Sequence, residues 1–142
     1  MKLFPGDVVE IPTADGLTYV QVTHTHPSYP EVVRTLPGAH GARPDMAIIA
    51  NAKTVFSAML PLGDAITGGR LAGEKIGNFP IPDKDRPFPT FRMPVHDRDG
   101  NTVYWWLWDG DGLRFESDPA ADVAHLPMRE VMALDRFLAR LG

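Results

Sequence analysis

Two histidines separated by one residue are the side chains in this sequence whose type and spacing best suit chemistry. His24 and His26 end a run rich in β-branched and aromatic residues, LTYVQVTHTH. Side chains two apart on a β-strand share a face, so two imidazoles there could begin a metal site. No third ligand is evident near them in the sequence. We therefore favour a pair of turn or surface histidines, and a small metal-dependent enzyme using His24 and His26 is the least favoured function.

Other catalytic patterns are missing from the sequence. There is no cysteine, and no serine lies in a GxSxG motif. The glycine-rich stretch 63–77 contains neither a GxxxxGK[ST] run nor GxGxxG. Residues 97–101, DRDGN, begin like a calcium loop, but the glycine is fourth where the sixth is required, and the twelfth position is Trp108. We expect a protein that is not an enzyme and needs no metal or cofactor.

The stretch 101–115, NTVYWWLWDGDGLRF, holds all three tryptophans of the chain. It reads as a β-hairpin, because Asp-Gly pairs at 109–112 tolerate the turn geometry and residues 113–115 can return as a strand. Alternation predicts two apolar faces. They are Val103, Trp105 and Leu107 on one side, and Tyr104, Trp106 and Trp108 on the other. We expect Trp105 in the core, whereas Trp106 and Trp108 suit either a core or a partner contact.

Negative charge is concentrated around this hairpin. The chain carries a net charge of −4, which disfavours a role on nucleic acid. Residues 1–96 are balanced, whereas residues 97–122 hold seven acids against Arg98 and Arg114. One interpretation is that aspartates are simply turn residues. The other is an acidic patch that steers a basic partner. The candidate partner-binding residues are then Asp97, Asp99, Trp106, Trp108, Asp109 and Asp111.

The elements that would position these residues are mostly short strands. Residues 8–11, 17–24 and 31–36 are β-rich runs separated by turns, and 54–60 is a further strand candidate. The five prolines of 78–94 predict an extended connection without ladder pairing. A C-terminal helix opened by Pro127 would present Val131, Leu134, Leu138 and Leu141 to the sheet. We expect an α+β fold, with a small strongly bent antiparallel sheet or SH3-like barrel and the helix packed on it.

Length and composition indicate a single domain spanning 1–142. There is no apolar run of membrane-spanning length and no secretory signal pattern near the N-terminus. Together with the lack of cysteine, this predicts a cytoplasmic protein with no membrane association. The sequence leaves the oligomeric state open.

Several short motifs resemble the immunity protein 26 family of bacterial polymorphic toxin systems. They are PGDVVEIP at 5–12, DGLTYVQV at 15–22, IGNFPIP at 76–82, PFP at 87–89 and LWDG at 107–110. The resemblance implies a small cytoplasmic α+β protein that neutralises a cognate toxin by direct protein–protein binding, without cofactor or catalysis. It assigns no toxin-contact residues. The alternative is an SH3-like barrel module that binds peptides or nucleic acid.

Overall fold

The computed structural model describes all 142 residues and shows an α+β protein with two antiparallel sheets. The chain forms two compact units, Met1–Pro87 with Val131–Gly142, and Phe88–Glu130. The predicted fold class, with a small antiparallel sheet and a C-terminal helix, is confirmed. Both sheets are open, so neither forms the closed SH3-like barrel that was the other expectation. The three α-helices have five or six residues each, and none is long and apolar enough to cross a bilayer.

The first unit contains five strands, three α-helices and one 3₁₀ turn. Its sheet has the order β4-β3-β2-β1-β5, with every neighbouring pair antiparallel. The elements are β1 (Asp7–Thr13), β2 (Gly16–His26), β3 (Tyr29–Thr35), α1 (Met46–Ala50), β4 (Ser57–Met59), α2 (Leu62–Thr67), β5 (Glu74–Asn78), the 3₁₀ turn Asp83–Asp85 and α3 (Leu134–Ala139).

The strand β1 continues beyond the predicted run 8–11 and passes through Pro12. Pro12 pairs with Leu17 of β2, and Thr13 with Gly16. The pairing of β1 with β5 on its other side ends at Glu10, so Pro12 lies where β1 is an edge. A proline is tolerated there because its missing N–H would have pointed away from the sheet. The hairpin therefore extends to the turn itself.

Both faces of the five-stranded sheet are covered. One face carries an apolar core built with α2 and α3, in which Val9, Val20 and Phe137 are completely buried. On the opposite face, Val8 and Tyr19 pack with Ile49 of α1. Burial on both sides explains why neighbouring apolar residues such as Val8 and Val9 of β1, or Tyr19 and Val20 of β2, are all buried although they point to opposite faces.

The face toward α1 also buries polar side chains, and they bond to one another. Arg34 is fully buried, and its guanidinium donates to Gln21 Oε1 at 2.8 Å and to the carbonyls of Ala50 and Ala52. Gln21 lies opposite Arg34 in the ladder and donates to Phe79 O at 2.9 Å. Burial lowers the pKa of Arg34, an effect that nearby Asp85 opposes. Through these bonds, Arg34 holds the carbonyls of Ala50 and Ala52 against the sheet, and Gln21 holds that of Phe79.

A second buried group on this face centres on Glu10. Its carboxylate accepts from Tyr19 Oη at 2.7 Å and from Arg43 Nε at 2.8 Å. The Arg43 hydrogen bond is the main cause that holds the pKa of Glu10 below its usual value. Burial, followed by the hydrogen bond to Glu10, raises the pKa of Tyr19 to about 12.

The C-terminal helix is shorter than predicted. Pro127 does not open it, since α3 spans only Leu134–Ala139, and Val131 is 52% exposed. The backbone of the residues before α3 instead pairs with β4, because Met132 N–H donates to Met59 O at 2.7 Å. Leu134 and Leu138 pack against the core as expected, but the buried centre is Phe137, which lies off the predicted stripe.

The second unit is built on a three-stranded sheet with the order β6-β7-β8. Its strands are β6 (Phe91–His96), β7 (Thr102–Trp108) and β8 (Leu113–Glu116). The strand β6 begins inside the segment 78–94 and runs through Pro94, so the expectation that this segment lacks ladder pairing is wrong for residues 91–94. The N–H of Arg92 donates to Pro127 O, so this side of β6 faces away from β7. Pro94, two residues later, has the same orientation, and its missing donor leaves the ladder with β7 intact.

Candidate partner-binding surface

The tryptophan strand is the centre of the second sheet. The strand β7 pairs with β6 and β8, and its register places Trp106 between Met93 and Phe115. Residues directly opposite in an antiparallel ladder share a face. Tyr104, Trp106 and Trp108 therefore share one face with Leu113 and Phe115, and Trp105 and Leu107 share the other with Arg114 and Glu116. The predicted hairpin and its alternation are confirmed.

Trp108 belongs to the interior of the unit. It is only 6% exposed, and its ring lies 5.3 Å from Phe88 and 5.7 Å from Phe91 between centroids. The guanidinium of Arg129 lies 5.0 Å from the ring centroid. Gly110 permits this packing, since a Cβ there would come within 2.7 Å of Phe88. The hypothesis that Trp108 contacts a partner is thus corrected, because Phe88 and Phe91 cover that end of the strand.

The other end of the same face is open. Phe115 is 51% exposed, and its ring centroid lies 4.8 Å from Tyr104 and 5.6 Å from Trp106. Tyr104 and Trp106 are half-buried and meet edge to face at 6.3 Å. We call Tyr104, Trp106 and Phe115 the aromatic cluster. Leu113 lies on this face opposite Trp108, at the strand edge, and is 54% exposed. Of the two tryptophans left open by the sequence, Trp106 is the one that lies in accessible surface.

Trp105 lies on the opposite face and is half-buried, whereas we expected it in the core. The Arg92 guanidinium lies 5.4 Å from its ring centroid. Its indole Nε1 donates to Pro119 O at 3.4 Å, a long contact that ties the following loop to the sheet. The chain after β8 folds back over this face, which is why Leu107 and Val123 are buried there.

The four candidate aspartates do not form one patch. Asp97 and Asp99 lie in the turn before β7, and Asp109 and Asp111 lie in the turn after it. The strand has seven residues, so the two turns are separated by roughly 20 Å. All four residues are exposed. The acidic patch expected from the sequence is two separate acidic turns, one at each end of the strand.

Within each turn the two aspartates differ. Asp97 Oδ1 accepts from the N–H groups of Asp99 and Asn101, at 2.9 and 3.0 Å. Asp109 Oδ1 accepts from the N–H groups of Asp111 and Gly112, at 3.1 and 2.9 Å. The backbone bonds, that of Gly112 first, lower the pKa of Asp109. The side chains of Asp97 and Asp109 therefore hold their turns closed. The carboxylates of Asp99 and Asp111 do not take part in closing the turns.

The face that carries Trp105 holds an open groove between the hairpin and the following loop. Two adjoining depressions of about 370 and 230 Å³ share Thr90, Leu107 and Arg114 in their walls. Their walls contain one arginine, Arg114, and three acidic residues, which are Asp109, Glu116 and Asp122. We call this the acidic groove.

The two histidines are engaged locally. His24 Nε2 donates to Arg86 O at 2.6 Å, and His26 Nδ1 accepts from the Ser28 N–H at 3.0 Å. Bulges interrupt the pairing of β2 with β3 around both residues, so the ladder is irregular where the histidines lie. No three side chains of His, Cys, Asp or Glu are grouped in a way that could hold a metal ion.

Two parts of this surface were not predicted from the sequence. Residues 113–115 were expected as a return strand, but Leu113 and Phe115 were not expected to extend the tryptophan face. That signal was present, because the two residues alternate with Arg114. The acidic groove had no comparable signal, since it depends on how the loop of residues 117–126 folds back.

Comparisons with protein-family models, curated proteins and solved structures found no match to this chain.

Proposed function

We propose that this protein is an immunity protein, which neutralises a cognate bacterial toxin by direct protein–protein binding and without catalysis. The observation that carries the proposal is the exposed aromatic cluster beside the acidic turns of the second sheet. The likeness of its short motifs to the immunity protein 26 family supports the same conclusion.

The aromatic cluster has the chemistry of a binding anchor. Aromatic side chains bury a large apolar area with little loss of side-chain freedom, and tryptophan and tyrosine are enriched where interface energy concentrates. Phe115 and Leu113 each leave about half of their surface exposed at the strand edge. A partner that covers these two side chains would gain the free energy of burying apolar surface that the protein alone leaves in water.

The acidic turns favour a basic partner. Asp99 and Asp111 are exposed at either end of β7, and neither is needed to close its turn. Charges at the rim of an interface mainly accelerate association and select the sign of the partner's charge. A toxin that acts on nucleic acid carries positive charge for that purpose, so it is the class of toxin that this surface fits best.

The direct experiment is a survival assay with the toxin domain encoded beside this gene. The toxin domain is expressed alone and with this protein, and growth is compared. Growth should stop with the toxin alone and return on co-expression. A neighbourhood of metabolic genes with no toxin, or a toxin domain that this protein fails to neutralise, would contradict the proposal.

A matched pair of substitutions locates the activity on the surface. Phe115→Ser removes the most exposed ring of the aromatic cluster, and Ile48→Ser removes an apolar side chain on α1 that is 71% exposed. We expect protection to fall with Phe115→Ser, with affinity lower by at least about tenfold, and to persist with Ile48→Ser. Urea unfolding of both variants separates a lost contact from a lost fold.

A further inference from the structure

The strand β8 has a free edge. It is the last strand in the order β6-β7-β8, and residues 113–116 make no backbone hydrogen bond outside their pairing with β7. Leu113, Arg114 and Phe115 are all exposed. A strand in this position presents a row of unpaired N–H and C=O groups on which another strand can form.

The register indicates which groups point outward. Across the turn, Asp109 N–H donates to Gly112 O at 3.3 Å. Hydrogen-bonded and non-hydrogen-bonded pairs alternate along an antiparallel ladder, so Leu107 with Arg114 is the next bonded pair. The pairs of Trp108 with Leu113 and Trp106 with Phe115 are then non-bonded. The outward N–H and C=O groups are therefore those of Leu113 and Phe115.

The two faces beside this edge differ in chemistry. On one face Leu113 and Phe115 continue the aromatic cluster, which is apolar. The other face carries the acidic groove, in which Glu116 and Asp122 line the larger depression. Arg114 is the one arginine or lysine in the walls, and its charge is close enough to Asp109 to help lower the pKa of that carboxyl. His125 also lines the larger depression, where its Nδ1 lies 3.5 Å from Asp122 Oδ1. The three carboxylates outnumber these two groups, so the groove favours positive charge.

We propose that β8 binds an extended segment of the toxin by strand addition, and that this segment alternates apolar and basic residues. In an added strand, alternate side chains point to opposite faces. The apolar residues would cover Phe115 and Leu113, and the basic residues would enter the acidic groove. This inference deepens the proposed function, on which it rests for the identity of the partner.

A second copy of this chain fits the edge less well. It would bring its own β8 and acidic groove to the same place, and like charges placed opposite each other oppose pairing. The short length of β8, four residues, also limits pairing between copies. A basic segment from another protein meets neither obstacle.

Synthetic peptides test this edge without the toxin. The probe is a short peptide in which lysine and valine alternate, and one control has the same composition with the lysines and valines in separate blocks. A second control alternates glutamate and valine. The amides of Leu113 and Phe115 should become protected from hydrogen exchange by at least about tenfold with the alternating lysine peptide alone. Unchanged exchange at both amides, or equal protection by either control, would overturn strand addition.

Two exposed charges give matched variants of opposite sign. Arg114→Glu should tighten binding of the lysine peptide by about fivefold, and Asp122→Lys should weaken it by about fivefold. Both side chains are exposed, the Asp122 side chain to 92%, so neither change should unfold the protein. Equal affinities in the two variants would place the basic residues elsewhere.

The peptide experiment tests strand addition, and the survival assay tests the immunity function, so either proposal can be rejected without the other. Neutralisation of the toxin without protection of Leu113 and Phe115 would reject strand addition and keep the immunity function. Protection by the lysine peptide with no neutralisation would reject the immunity function and leave a peptide-binding edge.

Discussion

The two sheets of this protein differ in which side chains they bury and which they leave exposed. In the five-stranded sheet, Arg34, Gln21 and Glu10 are buried, and each makes several hydrogen bonds within the chain. In the three-stranded sheet, Phe115 and Leu113 lie half exposed at a free edge. A region whose polar groups are satisfied internally has little left to offer a partner. Under the proposed function, the first sheet is the scaffold and the second sheet carries the contact surface.

The largest expected effect is on the scaffold. Arg34→Ala removes the donor that serves Gln21 and the carbonyls of Ala50 and Ala52. We expect a loss of about 3–5 kcal/mol in the free energy of unfolding, measured with urea. Arg114→Ala in β8 is the control and should change stability by less than about 0.5 kcal/mol. Similar losses for both variants would contradict the division between the sheets.

The tryptophans provide the next comparison, within the second sheet itself. Trp108→Ala opens a cavity among Phe88 and Phe91, and should cost about 3 kcal/mol of unfolding free energy. Trp106→Ala should cost about 1 kcal/mol, because Trp106 is only half-buried, and should instead weaken partner binding. Calorimetry together with binding measurements on each variant checks the pair. Greater destabilisation by Trp106→Ala would mean that the interior lies at the other end of the strand.

The scaffold should also show a defined dependence on alkaline pH. The folded pKa of Tyr19 is raised to about 12, from an ordinary value of 10.0, so the fold favours the neutral phenol. This stability is fully present below pH 10 and is lost as pH rises toward 12. The loss should amount to about 2–3 kcal/mol. Unfolding measured across this range should show it in Tyr104→Phe and lack it in Tyr19→Phe; persistence in Tyr19→Phe would assign it to another group.

The smallest effect separates the two aspartates of the turn that follows β7. Asp109→Ala removes the acceptor of two backbone N–H groups and should cost about 1 kcal/mol. Asp111→Ala should leave stability unchanged, because the Asp111 carboxylate makes no turn bond. Thermal unfolding of the two variants is the measurement. Asp111→Lys is consequently the cleaner probe of partner charge, and should weaken binding at low salt more than at high salt.

The strands were predictable from the sequence because local signals agree with the fold. The β-rich runs 8–11 and 17–24, separated by a turn, correspond to β1 and β2, and the alternation of β7 predicted its two faces. The run 8–11 was too short at Pro12, and pairing was wrongly excluded at Pro94, because whether a proline ends a strand depends on whether a neighbouring strand needs its N–H there. The C-terminal helix was overextended because apolar spacing cannot reveal that residues 127–132 are held as bridging backbone.

The candidate surface was predictable only in part. Hydrophobic alternation located Trp106 and Trp108 on one face, but the covering of Trp108 by Phe88 and Phe91 depends on residues about 20 positions away in the chain. The acidic residues were expected to form one patch, because sequence order does not show that the two turns lie at opposite ends of β7. That a single domain spans 1–142 stays a prediction, which one cooperative unfolding transition would support.

The central claim is that the exposed side of the second sheet is the binding surface. Hydrogen exchange of the full chain, with and without the toxin domain encoded beside its gene, tests this most directly. Slower exchange on binding should be confined to β7, β8 and the turns around them, with the largest change at Leu113 and Phe115. Protection limited to Met1–Pro87, with β8 exchanging as in the free protein, would contradict the account.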